Sequence, residues 1–366
     1  MERSRREILT YGLGGVAATL SMPALAAVCG KSRGRTVPLA YFQWQLLVRG
    51  GVRPLPGTVG SPRGALVLTG DGGNSLVICG EKQSLIVDTK NAPFGSVLAR
   101  DALALGASGH GSHKMVVVNT HHHADHTGGN PAFTAGCLVI AHQNAVDRVK
   151  SQIERYKSGT ESGMADLLKR KETDPKVSLA LSVLERDGAD LSKVTAEQFV
   201  PNNPISGDAT SLDAGGETIV LLHYGPGHTD NDLVVHVRSD NILHAGDLLF
   251  HKTHPFLDRA GGGDSAKWIT ALGKVIGLCD KDTIVVPGHG EVTDIEGLKG
   301  QVRYFERARE AIKAAIDQGV SRDEVAKTEL EEFKAYDKPQ LRPMTFGAIY
   351  DELTGMPVEK LAAPGK

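Results

Sequence analysis

Residues 120–129 read Thr-His-His-His-Ala-Asp-His-Thr-Gly-Gly, a run in which four side chains can bind a metal ion. They are His121, His123, Asp125 and His126. On the extended end of a strand, side chains two residues apart point the same way, so His121 and His123 can hold one cation together. The chain then turns, which leaves Asp125 and His126 to face a second position beside the first. Zinc accepts both imidazole and carboxylate ligands, so the run predicts a metal site.

Three further candidate ligands occur singly, and each follows a predicted strand. His228 stands in Gly-His-Thr, Asp247 in Ala-Gly-Asp and His289 in Pro-Gly-His-Gly. Each has a neighbouring glycine, whose missing side chain lets the backbone approach an ion closely. A His-rich loop alone could be a solvated turn. The repeated context at strand ends favours one shared metal site instead.

The remaining pattern predicts a layered fold. Short β-branched runs cut by turn residues predict strands over residues 65–69, 75–79, 84–88, 115–119, 138–141, 218–223, 232–237, 242–244 and 283–286. Apolar residues at helical spacing predict helices over residues 97–105, 146–156, 165–184, 267–278 and 301–318. Strands, then helices, then strands and helices again favour a mixed α/β fold over a doubly wound Rossmann sheet.

The complete ligand order resembles that of a known family. His-x-His-x-Asp-His at 121–126, followed by single His, Asp and His positions, is similar to the motif of the metallo-β-lactamase superfamily, over about residues 65–300. The resemblance implies an α/β fold, an αββα four-layer sandwich with its metal site along one edge, here with a helical insertion and a helical C-terminal tail. It also implies two divalent metal ions, with zinc expected and iron or manganese as alternatives. The implied ligands are His121, His123 and His228 on metal 1, Asp125, His126 and His289 on metal 2, and Asp247 bridging the two.

Position 247 narrows the expected chemistry. Asp247 stands where lactam-cleaving members of the family have Cys or Ser, and so resembles the glyoxalase II, lactonase and nuclease branches. Two metal ions about 3.5–4 Å apart can share a hydroxide and polarise a carbonyl, so we expect hydrolysis by a bridging hydroxide. Asp125 is the expected catalytic residue, since it can orient that nucleophile and carry its proton. The expected partner is a small-molecule substrate: a lactone, thioester, amide or lactam.

Three other functions stay open at this point. The first is β-lactamase activity proper, which an Asp at 247 disfavours. The second is phosphodiester cleavage, but 41 Lys and Arg against 43 Asp and Glu give a net charge of −2 and no electrostatic reason to bind nucleic acid. The third is the oxygen or nitric oxide reduction of flavodiiron members, for which the residues after 300 are too few to form a flavin domain.

The N-terminal residues predict export. Arg5 and Arg6 precede a weakly apolar stretch, and small residues at Ala24 and Ala26 suit cleavage, so residues 1–26 resemble a twin-arginine signal. We therefore expect a periplasmic or secreted protein that meets the twin-arginine export machinery and is not stably inserted in a membrane after processing. An uncleaved anchor is the alternative, although the Gly, Ser and Pro of this stretch make it a poor spanning helix.

The same patterns predict how the chain is divided. We expect an irregular lead-in over residues 27–64, a catalytic domain over 65–300 with a helical insertion at about 143–200, and a helical extension over 301–366. With 40% hydrophobic and 23% charged residues, the composition excludes collagen-like, disordered and disulfide-dense classes. The oligomeric state is not predicted.

Cysteine and histidine usage fits this picture. There are 14 His but only 4 Cys, which favours imidazole over thiolate ligands. The cysteines expected to be buried free thiols are Cys79, Cys137 and Cys279. Asp88, at the end of a predicted strand, is expected just behind the metal ligands. His122 is expected to pack away from its neighbours, while His251 and His254 either line the substrate pocket or are exposed.

Overall fold

Two β-sheets form the centre of the computed structural model, which describes residues 41–48, 51–53, 64–79, 83–102, 114–186, 194–214 and 217–358. The predicted export signal at 1–26 lies outside the described residues, as do most of the lead-in at 27–64 and the chain end at 359–366. Within the described ranges, no helix has both the length and the apolar character needed to cross a membrane.

The first sheet has eight strands and the second has five. The first contains β1 (Gln43–Val48), β2 (Gly51–Arg53), β3 (Gly64–Thr69), β4 (Ser75–Cys79), β5 (Gln83–Val87), β6 (Lys114–Val118), β7 (Leu138–His142) and β8 (Asn203–Ile205), in the order β2-β1-β3-β4-β5-β6-β7-β8. The second contains β9 (Ala209–Ala214), β10 (Glu217–Leu222), β11 (Val234–Val237), β12 (Ile242–Phe250) and β13 (Ile284–His289), in the order β13-β12-β11-β10-β9. Pairing is parallel from β5 through β8 and between β12 and β13, and antiparallel elsewhere.

Alternate residues of the strands build different cores. In β6, Val116 and Val118 belong to the core between the two sheets, whereas Met115 and Val117 belong to the core under the helices. This follows from the strand period of two, which sends successive side chains to opposite faces. Because both faces are covered, β6 is apolar throughout its centre and does not alternate with polar residues, as predicted for a strand buried on both sides.

The α-helices of the described residues are α1 (Gly95–Ala102), α2 (Ala124–Thr127), α3 (Gln143–Ser151), α4 (Ile153–Arg170), α5 (Pro175–Arg186), α6 (Ala196–Phe199), α7 (Ser265–Ile276), α8 (Ile295–Asp317), α9 (Arg322–Val325) and α10 (Leu341–Leu353). Several of them cover the outer faces of the two sheets. Apolar residues of α1 and α5 join the core on the first sheet, and those of α7, α8 and α10 join the core on the second. The αββα layer order predicted for the fold class is therefore confirmed.

The described residues of the insertion, 143–186 and 194–200, are largely helical, as predicted, but the helices divide differently. The structure has three longer helices, α3, α4 and α5, where the periodicity predicted two. The chain breaks at Gln152, whose φ of −106° and ψ of 9° are not helical. A second break precedes Pro175, and the Asp174 carboxylate caps the new helix by accepting from the Lys176 N–H at 2.9 Å. Proline at the first helical position suits such a start.

The expectation of an irregular lead-in is wrong for residues 43–48 and 51–53. There β1 and β2 pair as antiparallel strands, and β1 also pairs with β3. The Asp101 carboxylate fixes the start of β1 by accepting from the N–H groups of Tyr41 at 2.6 Å and Phe42 at 3.0 Å. Because these partners lie far along the chain, the local composition did not reveal the strand.

Candidate metal centre

The metal-binding run follows β6 and is fixed at both ends. Residues 119–123 leave the strand, and helix α2 then reverses the chain. At the start, the Thr120 N–H donates to Asp88 Oδ1 (2.7 Å) and the Thr120 hydroxyl donates to Asp88 Oδ2 (2.8 Å). At the end, the Thr127 hydroxyl donates to the His123 carbonyl (2.9 Å). These bonds hold the backbone from which the candidate ligands project.

Three histidine nitrogens converge on one point. His123 Nδ1 lies 3.1 Å from His121 Nε2 and 2.9 Å from His228 Nε2. The nearer Asp247 oxygen, Oδ2, lies 3.8 Å from His121 Nε2 and 3.6 Å from His228 Nε2. Ligand atoms around a tetrahedral zinc, at roughly 2.0–2.1 Å from the ion, are separated by about 3.3 Å. The four atoms therefore have the spacing of a metal's ligands.

The outer nitrogens of two of these rings show where the protons are. His123 Nε2 donates to Asp258 Oδ2 at 2.8 Å, and His228 Nδ1 donates to the Phe256 carbonyl at 2.7 Å. Both acceptors lack a hydrogen, so each ring carries its proton on the outer nitrogen. The inner nitrogens, His123 Nδ1 and His228 Nε2, are consequently lone pairs.

The third ring follows the same rule. His121 Nδ1 lies 3.1 Å from Thr120 Oγ1, whose own proton is already donated to Asp88. His121 Nδ1 is therefore the donor, and its Nε2 is a third lone pair directed at the same point. Burial lowers the pKa of His228 to about 3 and that of His121 well below its ordinary value, which keeps both rings neutral. Three lone pairs directed at one point repel one another, and a cation bound between them would remove that repulsion.

A second group lies beside the first. Asp125 Oδ2 is 3.1 Å from His289 Nε2 and 3.6 Å from His126 Nε2. The two Asp247 oxygens face this group as well, with Oδ1 3.2 Å from His126 Nε2 and Oδ2 3.4 Å from His289 Nε2. His126 Nε2 and Asp247 Oδ1 are buried without a hydrogen-bond partner, which is the state expected of atoms reserved for a metal. Asp247 thus contacts both groups, as a bridging ligand must.

Asp88 lies directly behind His126, the place the sequence predicted. Its Oδ2 accepts from His126 Nδ1 at 2.7 Å, which turns the Nε2 of that ring toward Asp125 and Asp247. Burial alone lowers the pKa of His126, but the carboxylates of Asp247, Asp88 and Asp125 together raise it well above its ordinary value. Three carboxylates around one imidazole make this position attractive to positive charge, whether a proton or a metal ion.

Two glycines make room for Asp247. Gly246 has a φ of 53°, and a Cβ on it would lie 2.7 Å from Thr120 Cβ. A Cβ on Gly288 would lie 1.9 Å from Asp247 Oδ1. Glycine adopts positive φ without strain and has no Cβ to clash. The sequence predicted that Asp247 follows a strand that ends at residue 244. In the structure β12 continues through Asp247 to Phe250, with an irregular register around Gly246, so the carboxylate projects from within the strand.

The structure brings all of the predicted ligands together, in two neighbouring groups. They are His121, His123, His228 and Asp247 in one, and Asp125, His126 and His289 in the other. Asp258 was missed by the sequence reasoning, because it lies in the loop after β12 and no spacing relates it to the histidines. It also lies 3.6 Å from His122 Nε2.

The other histidines are placed as follows. His122 is buried, as predicted, and contacts Asn231 Nδ2 at 3.0 Å, but its ring does not point away from its neighbours: it lies 4.6 Å from the ring of His123. His254 is not exposed: it is buried, with its Nδ1 2.8 Å from the Tyr304 hydroxyl. His251 is partly exposed and contacts the Glu291 carbonyl at 2.8 Å. Cys137 and Cys279 are free thiols, as predicted, but each is only partly buried, whereas Cys79 is buried.

Comparison with known proteins identifies the family to which this chain is similar. The profile of the metallo-beta-lactamase superfamily matches residues 68–289, more than half of the chain and all of the candidate ligands. Among solved structures, a metallo-beta-lactamase from Pontibacter korlensis has 20% sequence identity and a TM-score of 0.46, covering 69% of this chain and 99% of that one.

Curated relatives match shorter stretches. An uncharacterized protein of Mycobacterium leprae is 36% identical over 89 residues, which are 24% of this chain and 40% of that protein. The metallo-beta-lactamase type 2 of Bacillus cereus is 31% identical over 85 residues, which are 23% of this chain and 33% of that protein. The chain therefore spans two fifths or less of the length of these relatives.

Proposed function

This chain belongs to the metallo-beta-lactamase superfamily, and from that premise we propose that it is a hydrolase that uses two divalent metal ions to cleave a carbonyl substrate. The observation that carries the proposal is the convergence of three bare imidazole nitrogens beside a second group that shares Asp247. Zinc is the metal proposed first, since neutral imidazole suits it, with iron or manganese as alternatives.

The proposed ligand sets follow the two groups. Metal 1 takes His121, His123 and His228, metal 2 takes Asp125, His126 and His289, and Asp247 serves both. When bound, such a pair of ions supplies Lewis acidity and an activated water. The chain itself orients the ligands from behind, through Asp88, Asp258 and the Phe256 carbonyl.

Asp125 is the proposed proton carrier. Its side chain is 31% exposed, whereas that of Asp247 is 3% exposed, so Asp125 has an oxygen available on the open side of the site. Partial desolvation raises the pKa of Asp125, but the charge of His126 and the hydrogen bond from His289 outweigh it and lower the pKa below its ordinary value. Asp125 is therefore ionised, and its carboxylate can accept a proton. From there it can pass the proton to a leaving oxygen, sulfur or nitrogen.

The proposed substrates are lactones and thioesters first, because Asp247 resembles those branches of the family. A β-lactam is the second candidate, since part of the chain is similar to a protein named metallo-beta-lactamase type 2. Phosphodiesters are third, given the net charge of −2.

A hydrolysis panel tests this proposal. Purified protein supplemented with zinc, iron or manganese is assayed on a lactone, a thioester, a penicillin, a carbapenem and a phosphodiester, alongside a metal analysis. We expect about two equivalents of metal and turnover of a lactone or thioester. Asp247→Ala should lose at least about a hundredfold in rate, as metal-site changes of this size do.

The matched control is Asp282→Ala, which removes an exposed carboxylate in the turn before β13 and should leave the rate unchanged. Well under one equivalent of metal in supplemented wild type contradicts the proposal. Near wild-type turnover by Asp247→Ala contradicts the bridging role.

We also propose that the protein is exported through the twin-arginine machinery to the periplasm or beyond. The support is the sequence of residues 1–26, with Arg5 and Arg6 before a weakly apolar stretch. Replacing both arginines by lysine keeps the charge and should trap the protein in the cytoplasm on cell fractionation. Unchanged export of that variant would exclude this route.

A further inference from the structure

One threonine of the C-terminal extension holds the backbone behind His228. Thr345, on α10, is buried. Its hydroxyl donates to the Pro255 carbonyl (2.6 Å) and accepts from the Leu257 N–H (3.2 Å), so it bonds to the chain on both sides of Phe256. A threonine within a helix often bonds to a carbonyl of its own helix. This hydroxyl bonds instead to the segment after β12.

The residue between those two bonds carries the acceptor that orients His228. The Phe256 carbonyl accepts from His228 Nδ1 at 2.7 Å, and this bond leaves Nε2 of the ring bare and directed at the other histidines. The Phe256 ring lies beside two of the proposed ligands, with its centroid 5.9 Å from that of His123 and 6.2 Å from that of His228. A shift of this segment therefore moves an acceptor and a packing surface of the metal 1 group together.

The same loop supplies the acceptor for a second ligand, and the extension bonds to it there as well. Asp258 Oδ2 accepts from His123 Nε2 at 2.8 Å. At the next residue, Arg259 Nη1 donates to the Met356 carbonyl (3.1 Å), just beyond the end of α10. Both bonding groups of the extension lie beyond the family-matched residues 68–289, so the family likeness does not supply them.

We propose that Thr345 is a positioning residue of the metal centre, and that the C-terminal extension is thereby a functional part of the metal 1 site and not only an added layer of core. The Thr345 hydroxyl fixes the segment at 255–257, the Phe256 carbonyl fixes the His228 ring, and that ring presents its bare nitrogen beside those of the other two histidines. The effect on metal binding rests on the proposed function, whereas these hydrogen bonds are formed by the protein alone.

Histidine-ring NMR of the metal-free protein tests this series of bonds. In isotope-labelled wild type, the His228 Nδ1–H should give a slowly exchanging signal, assigned by its loss in His228→Gln. Thr345→Val keeps the shape of the side chain but removes the hydroxyl, which frees the segment, so the signal should shift or be lost through faster exchange with solvent. Thr345→Ser keeps the hydroxyl and should retain the wild-type signal.

Zinc binding gives a second readout that does not depend on turnover. Loss of a partner behind a metal-binding histidine typically weakens metal affinity by about 10–100-fold. Because Thr345 acts one bond further away, competitive titration against a chelator should show at least one zinc equivalent bound about tenfold more weakly by Thr345→Val. Thr345→Ser should bind zinc like wild type.

Thr283 offers a matched control for lost stability. Its buried hydroxyl also accepts from a backbone N–H, that of Asp280 (2.8 Å), and donates to a second segment at Asn241 Oδ1 (2.9 Å). It lies just before β13, at the opposite end of that strand from His289. Thr283→Val should therefore leave the His228 signal and both zinc affinities unchanged.

Three results overturn the inference. They are a wild type without the slowly exchanging His228 signal, a signal that Thr345→Val leaves unchanged, and an equal zinc affinity loss in Thr345→Val and Thr283→Val, since that loss would follow from stability alone. A wild-type protein that takes up no metal contradicts the proposed function instead. In that case the NMR comparison still decides whether Thr345 positions His228.

Discussion

At the scale of single residues, Lys90 is a lysine enclosed by backbone carbonyls. Its Nζ donates to the carbonyls of Leu68 (2.6 Å) and Gly73 (2.7 Å), lies 5.1 Å from the centre of the Phe42 ring, and has no exposed surface. A neutral amine keeps two N–H groups, enough for both carbonyls. The Gly73 N–H in turn donates to the Asp125 carbonyl (3.0 Å), so this lysine supports the backbone of the proposed catalytic residue.

Lys90 makes stability depend on pH. Burial lowers its pKa to about 7, although the neighbouring carboxylates oppose this; they are Asp88, Asp71 and Asp125. The unfolded chain keeps the ordinary value of 10.5, so between these two pH values the unfolded state binds more protons and the free energy of unfolding rises with pH. Relative to Lys90→Met, wild type should therefore gain stability from pH 7 to pH 10, by up to about 1.4 kcal/mol per pH unit.

Denaturant unfolding of both proteins at several pH values, with metal chelated, measures this difference. Lys281→Met, which removes an exposed lysine, is the control and should track wild type at every pH. A constant difference between wild type and Lys90→Met from pH 7 to pH 10 would show that Lys90 does not titrate in this range.

At the scale of elements, the helical insertion supports the metal-binding run from behind. The Tyr156 hydroxyl, on α4, donates to the His122 carbonyl (3.1 Å) and lies 2.6 Å from Thr127 Oγ1. Its ring stacks on Phe199 of α6, with centroids 4.6 Å apart. Arg148, on α3, is also engaged, through charged hydrogen bonds to Asp230. These contacts give the insertion a supporting function for the metal-binding run.

Removing the Tyr156 hydroxyl isolates that support. Tyr156→Phe keeps the stack on Phe199 but leaves the His122 carbonyl without this donor, so unfolding should become easier by about 1–2 kcal/mol. Chemical denaturation measures the change. Tyr350→Phe is the control, because its hydroxyl makes no hydrogen bond within the described residues. Equal stability of Tyr156→Phe and wild type would mean that the insertion does not brace the run through this contact.

The sequence predicted the features that depend on neighbouring residues and missed those that depend on contacts between distant segments. His121, His123, Asp125 and His126 share one local run, so their spacing alone placed them together, and a strand followed by glycine was enough for His289. Asp258 was not predicted, since it reaches the site through the loop after β12, which leaves no periodic pattern in the sequence. Strand β1 was missed because it pairs with β3 and is fixed by Asp101, both further along the chain, and β2 was missed because it is a three-residue strand that pairs only with β1.

At the scale of the whole molecule, the proposed metal ions join the two halves of the sandwich. The run at 121–126 follows the first sheet, whereas His228, Asp247 and His289 belong to the second half of the chain, with Asp247 and His289 in β12 and β13. The Asn74 N–H also crosses between the halves, donating to the Gly288 carbonyl at 2.8 Å. Ions held by ligands from both halves bind the folded chain and not the unfolded one, so they stabilise the fold by mass action.

Metal removal should therefore weaken the whole fold and not only the site. With free zinc at about a hundred times its Kd, each site contributes about 2.7 kcal/mol, so chelation should lower the melting temperature of wild type by at least several degrees. Asp247→Ala, which removes the carboxylate shared by both groups, should lose most of this response, while Asp282→Ala should melt like wild type with and without chelator. Thermal melts of the three proteins separate the cases. If chelator leaves the melting temperature of wild type unchanged, then no ion is bound at the junction of the two sheets.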